Sequence, residues 1–331
     1  MSFANSAKVS LDLRGTRLSL ERETLMELPE SVLLCLFPNG VVLSPQRPPR
    51  TDPSDDEDDG EEDVYFVDFD ARCLEFVLDF FGAARDSFYG PADGPRRDFS
   101  LTSPVAQFNG QNPLFLKQSV IVLREELEYF AIPPGKATAT AADAVAAAAA
   151  AHHPGTDDAG KPNAALSQLK VDCGHALLEH RSIFTALQRN VSRDNNVAEQ
   201  HLIDMLCMSG FERDDVWGYR ALEPARCCIA SIALVLLKTG IVHPPLGGAS
   251  GSTPSSPGAE DSNGDGATQA SDDSGGVQVN TQQLATAQKL LLFWRKPARK
   301  VWWDHSTEKL ANGKEVKIWA RRVWTLELSL I

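Results

Sequence analysis

Two long stretches of this chain are too poor in large apolar residues to pack, and they limit where a core can form. Residues 133–163 read "PPGKATATAADAVAAAAAAHHPGTDDAGKPN", and residues 247–276 read "GGASGSTPSSPGAEDSNGDGATQASDDSGG". Both are low-complexity and linker-like in composition. They leave three blocks able to bury apolar surface: 8–132, 164–246 and 281–331, with linkers expected over 133–163 and 247–280. A further polar insertion, 44–63, lies inside the first block and opens on Pro45, Pro48 and Pro49.

The acidity of the chain is concentrated in those polar runs. "TDPSDDEDDGEED", 51–63, holds nine acids and no base, and 247–280 adds Glu260, Asp261, Asp265, Asp272 and Asp273. These fourteen charges exceed the net charge of −13, so the remaining chain is close to neutral. Acidic runs repel polyanions, and overall charge gives a nucleic-acid role no support. The N-terminus "MSFANSAKVSLDLRG" lacks the apolar core of a signal peptide. The apolar run Cys227–Leu237 is about half of what a membrane span needs and is expected to be a buried helix. The six cysteines are scattered among apolar periodic segments, as expected of reduced core residues in an intracellular protein.

Periodicity predicts an α+β fold. Val9, Leu11 and Leu13 alternate, Arg14-Gly15 makes a turn, and Leu18 and Leu20 continue a hairpin. "TLMELPESVLLCLFPNG" has helical spacing, "VYFVDF" reads as a buried strand, and Asp70 is placed to cap a helix carrying Leu74, Val77, Leu78 and Phe81. In "LREELEYFAIP", Leu123, Leu127 and Phe130 fall at i, i+4 and i+7, which predicts a helix stopped by Pro133. The block 164–246 reads as all helical, its last helix running from Pro224 to Gly240. The last block combines a helix ending at Trp294 with a hairpin turning at Asn312-Gly313. On its second strand, Val316, Ile318, Trp324, Leu326, Leu328 and Leu330 share one parity; Lys317, Arg321 and Glu327 share the other. Arg322 interrupts the apolar parity and predicts a bend or bulge there.

Nothing in the chain spells a known catalytic motif. There is no Gly-rich phosphate loop, no G-x-S-x-G and no H-E-x-x-H. Asp68 and Asp70 have the spacing of an aspartyl-phosphatase pair but lack the small residues and threonine around it, and a helix cap explains Asp70 better. Cys173 and His180 lie two helical turns apart, about 10 Å, too far to share one metal ion. No metal or cofactor is expected. "FWRKPARKVWWD" is the best surface candidate. Arg295, Arg299 and Lys300 lie beside Trp302 and Trp303, and neighbouring residues on a strand point to opposite faces. One of the two tryptophans then stays outside, beside arginine, as a binding hot spot for an acidic partner. The same pattern suits an anionic membrane or a single-stranded nucleic acid, or both rings are covered by the helical block. Ser54, followed by "DDE", suits an acid-directed kinase.

The first block resembles the BTB/POZ fold, in the T1 form of potassium-channel tetramerisation and KCTD proteins. "VSLDLRGTRLSLERETLMELPESVLLCLF", "VYFVDFDARCLEFVLDFF" and the acidic stretch ending in Tyr129-Phe130 carry the likeness over 8–132. The acidic insertion is longer than a compact T1 domain needs. "NNVAEQHLIDMLCMSGF", "EPARCCIASIALVLL" and "FWRKPARKVWWD" extend the likeness to the fungal Whi growth and general stress response regulators. That resemblance implies a non-enzymatic, cytoplasmic scaffold that assembles through its BTB surface. It further implies activation of a Psr-type plasma-membrane phosphatase, reached through peripheral recruitment, and restraint of TOR signalling. A substrate adaptor for a cullin ubiquitin ligase and a channel-associated subunit are the alternatives that BTB likeness leaves open.

Overall fold

The computed structural model describes residues 8–38, 64–97, 99, 112–132, 164–194, 196–245 and 277–331. Strands β1 (Lys8–Leu13) and β2 (Thr16–Glu21) form the N-terminal hairpin, turning at Arg14 and Gly15, both with positive φ. Glycine suits that turn because a left-handed backbone carries no steric penalty without a Cβ. The expected single helix after the hairpin is two short ones, α1 (Arg22–Met26) and α2 (Glu30–Leu36). Pro29 divides them, since it offers no N–H and pushes Leu28 out of helical geometry. β3 (Val64–Val67) runs parallel to β1 on its free side, giving the order β2-β1-β3. α3 (Ala71–Tyr89) starts where the Asp70 carboxylate accepts the Arg72 N–H at 2.9 Å.

The larger layer is a five-stranded antiparallel sheet that two expected helices help to build. β4 (Ser119–Ile132) contains the whole of "LREELEYFAI" and lies at the centre of the order β5-β6-β4-β10-β9. Its neighbours are β6 (Cys228–Leu236), with β5 (Tyr219–Leu222) beyond it, and β10 (Glu315–Leu330), with β9 (Ala298–Lys309) beyond that. The helical reading of 123–133 fails because an i, i+4 pair satisfies both periods: Leu123 and Leu127 share a face in a strand as in a helix. The discriminating residue is Phe130, which lies on the other face and is half exposed, while Tyr129 is buried beside Leu127. The acidic helix closing on an aromatic pair, implied by the BTB likeness, is therefore a strand here.

The helix expected from Pro224 to Gly240 is also replaced by strands. The run is apolar without alternation because β6 is covered on both sides, which erases the period-two signal. Ile232 and Leu234 pack against the N-terminal unit, and Ile229 and Ala233 against the helices. Block 164–246 is helical only through α4 (Ala164–Leu178), α5 (Thr185–Asp194) and α6 (Val197–Ser209). A short ladder of β7 (Ile241–Val242) and β8 (Gln278–Val279) precedes α7 (Thr281–Trp294). These helices cover the inner sheet face, where Leu123, Trp324 and Leu326 meet Phe184, Ile203, Leu206 and Leu290.

Strands from all three sequence blocks thus share one sheet, and β4 pairs with β10 in unbroken register from Ser119↔Leu330 to Ile132↔Lys317. The bulge expected at Arg322 is absent, since pairing runs one-to-one through it on both sides. Its guanidinium instead reaches the buried Glu125 carboxylate across the ladder. Arg220 Nη1 donates to the same carboxylate at 2.7 Å and Trp324 Nε1 at 2.9 Å. Burial pushes the Glu125 pKa up, yet Arg322 and Arg220, with the Trp324 hydrogen bond, bring it below the ordinary glutamate value. Glu327, expected on the polar parity, is buried and accepts the backbone N–H groups of Glu30 and Ser31 at 2.9 and 2.8 Å. It ties the N-terminus of α2 to the sheet.

Candidate functional site: an uncovered aromatic face of the sheet

The outer face of the sheet is covered at one end only. There Val120, Val122, Ile232 and Leu234 join the core of the N-terminal unit, and Val323 and Thr325 are buried. Arg124 donates to the Ser31 carbonyl at 2.8 Å, which extends the seal along β4. Beyond Val323 the cover stops.

On the uncovered part, cross-strand pairing assembles residues that are far apart in sequence. Trp319 of β10 pairs with Phe130 of β4 and with His305 of β9, while Arg321 pairs with Glu128 and Trp303. Directly opposed residues share a face, so these six side chains form one surface. Trp303 stacks on Phe130 at 5.9 Å between ring centres, and Trp319 lies 5.3 Å from the His305 ring. Lys317 Nζ sits 5.7 Å over the Trp319 ring, and Arg321 pairs with Glu128 at 2.8 Å. Trp303 is 57% exposed, Val301 55%, Phe130 50% and Trp319 39%. Side-by-side aromatic rings this exposed, with cations among them, have the composition of a protein-binding hot spot.

The residues expected from the sequence divide between the two faces. Arg299 and Trp303 belong to the outer surface; Lys300 and Trp302 face inward. Trp302 packs edge-on to Trp324 at 5.3 Å, with Lys300 Nζ 5.4 Å above its ring and 4.0 Å from Glu199. Arg295 is exposed at the C-terminal end of α7, on neither sheet face. Ser54 lies outside the described residues. Phe130, Trp319 and Arg321 were missed. Trp319 was detectable, as an aromatic on the polar parity of β10; Phe130 was hidden by the helical reading of its strand.

The other sequence candidates have structural partners. Asp68 pairs with Arg14 at 2.6 Å, and Asp70 caps α3. Cys173 is buried against Tyr129 and Leu177, and His180 pairs with Glu308 at 3.2 Å. Among the described residues no three His, Cys, Asp or Glu side chains are grouped to hold a metal ion. No helix of the described residues is long and apolar enough to cross a membrane.

No family model matches the chain, and no solved structure does. A WHI2-like protein of Schizosaccharomyces pombe is 32% identical over 328 residues, covering 96% of this chain and 86% of the relative. A protein of Saccharomyces cerevisiae named growth regulation protein is 28% identical over 268 residues, 69% of this chain. That alignment spans 52% of the second relative, about half its length.

Proposed function

The chain belongs to the WHI2-like family of growth-regulation proteins, and on that premise we propose that it is a non-enzymatic scaffold whose outer sheet face docks a protein partner. The carrying observation is the exposed surface built by Phe130, Trp303 and Trp319 from three strands. Exposed aromatics cost solvation unless a partner covers them, and arginines at the rim add charge selectivity. The partner proposed is a Psr-type plasma-membrane phosphatase, engaged in the general stress response and in nutrient-dependent restraint of TOR signalling. Support for that identity is the family likeness. The N-terminal unit, a hairpin followed by short helices, a parallel strand and α3, is proposed as a BTB-type surface for self-assembly.

The test is affinity purification of the full chain from stressed cells, with a differently tagged second copy present. Trp303→Ala combined with Trp319→Ala should lower phosphatase recovery at least about tenfold, the loss of one hot-spot contact. The thermal midpoint should stay within about 2 °C, as expected when exposed side chains are trimmed. Recovery equal to wild type would remove the outer face from the mechanism. A second copy that never co-purifies would remove self-assembly.

A further inference from the structure

α7 packs Ala287, Leu290 and Trp294 into the core on the inner side of the sheet. Its other side carries Gln288, Lys289, Leu292 and Phe293, spaced so that they share one exposed stripe. Leu292 and Phe293 are 83% and 75% exposed, more than any other large apolar side chain among the described residues. A surface helix ordinarily turns polar residues to water on that side. Lys289 lies one turn before the apolar pair on the same stripe, and the exposed Arg295 and Lys296 follow it directly.

The charge around the pair has one sign. Residues 277–303 hold five lysines and arginines and no Asp or Glu, in a chain of net charge −13. Lys300 is engaged by Glu199 at 4.0 Å. Lys289, Arg295 and Lys296 have no anionic partner among the described residues. The helix dipole favours cations at a C-terminus, which accounts for Arg295 and Lys296. It does not account for a leucine and a phenylalanine held in water beside them. Side chains this exposed have no pocket wall around them, so a protein partner would have to supply the whole pocket. A fluid bilayer closes around a protruding apolar group without preformed shape, and its anionic headgroups meet the neighbouring cations.

We propose that the C-terminal end of α7 is a contact site for an anionic phospholipid bilayer. Leu292 and Phe293 enter the boundary between headgroups and acyl chains, and Lys289, Arg295 and Lys296 lie among the headgroups. The contact is interfacial, made by two apolar side chains and a ring of charge. Because α7 covers the inner side of the sheet, its exposed stripe points away from the outer aromatic face. A chain resting on a membrane through α7 therefore leaves Phe130, Trp303 and Trp319 open to a protein partner, and the lipid contact does not depend on that partner.

The test is flotation of the purified full chain with vesicles of phosphatidylcholine alone or of equimolar phosphatidylcholine and phosphatidylserine. The chain should float with the anionic vesicles, stay behind with the neutral ones, and release as salt is raised. Leu292→Ser combined with Phe293→Ser should lower partitioning at least about tenfold, the worth of burying one such side chain. Lys289→Gln and Lys296→Gln should each lower it about fivefold. Trp303→Ala combined with Trp319→Ala should float as the unmodified chain does. Failure to float with anionic vesicles, or equal flotation with both lipids, would overturn the site. Undiminished flotation of the Leu292 and Phe293 variant would reduce the contact to charge alone and overturn insertion. Loss of flotation only in the Trp303 and Trp319 variant would move the contact to the outer face and overturn it at α7. If the vesicles do not bind but the Leu292 and Phe293 variant loses a co-purifying protein, the stripe docks protein and the lipid assignment is wrong. The comparison of the two lipids uses the unmodified chain and is independent of whether a variant folds.

Discussion

Glu125 is a carboxylate in the middle of an apolar sheet, fully buried, with three donors converging on it. Removing one partner of such a group leaves uncompensated charge rather than a void. Glu125→Gln should therefore lower stability by about 3–5 kcal/mol, read as a shift of the urea midpoint at unchanged slope. The pH dependence follows from the same contacts. The folded pKa lies below the unfolded one, so the stabilisation is fully present above the ordinary glutamate range near 4.3 and is lost as pH falls through the folded value. The variant should lose that part of the acid-side slope; an identical slope would show that other carboxylates carry it.

Among the elements, α2 depends on a contact that its own sequence does not contain. Pro29 stands at its N-cap and provides no side-chain acceptor, so the first N–H groups would be left without a partner. Glu327 supplies both oxygens from the end of β10. Glu327→Ala should cost about 2–3 kcal/mol in chemical denaturation, since two backbone donors, one buried and one partly buried, lose a charged acceptor. Glu327→Gln, which keeps one acceptor oxygen, should cost less. Equal costs would mean that the carboxylate's charge adds nothing at the helix end.

At the scale of the whole molecule, β10 holds the parts together, lying between β4 from the first block and β9 from its own. A chain ending at residue 280 would leave β4 with an unpaired edge and uncover Ile121, Leu123 and Leu127. That truncation should abolish the cooperative thermal transition and reduce soluble yield. A retained sharp transition would show that the first two blocks fold without the third. A partner lost on removing 281–331 would therefore report unfolding as much as a missing docking surface, and point substitutions on the outer face are the cleaner probe.

Much of the local structure was legible from the residues. The Arg14-Gly15 turn, the Asp70 cap and the Asn312-Gly313 hairpin depend on backbone geometry and hydrogen bonds within a few positions. The opposite facing of Trp302 and Trp303 follows from strand geometry alone. β4 and β6 were not legible. Leu123 and Leu127 fit both periods, and β6 has apolar cover on both faces, so neither segment carries a decisive pattern.

What the sequence determined by itself was the set of short-range elements, the separation of the acidic runs from the packing segments, and the opposite facing of the two tryptophans on β9. Only the tertiary structure decided that strands from three blocks form one sheet, that Glu125 faces Arg220 and Arg322 across it, and that Phe130 and Trp319 lie beside Trp303. The physical reason is range. Turns and caps are set by neighbouring peptide groups, whereas strand partners are chosen by which buried faces and charges fit once distant segments meet.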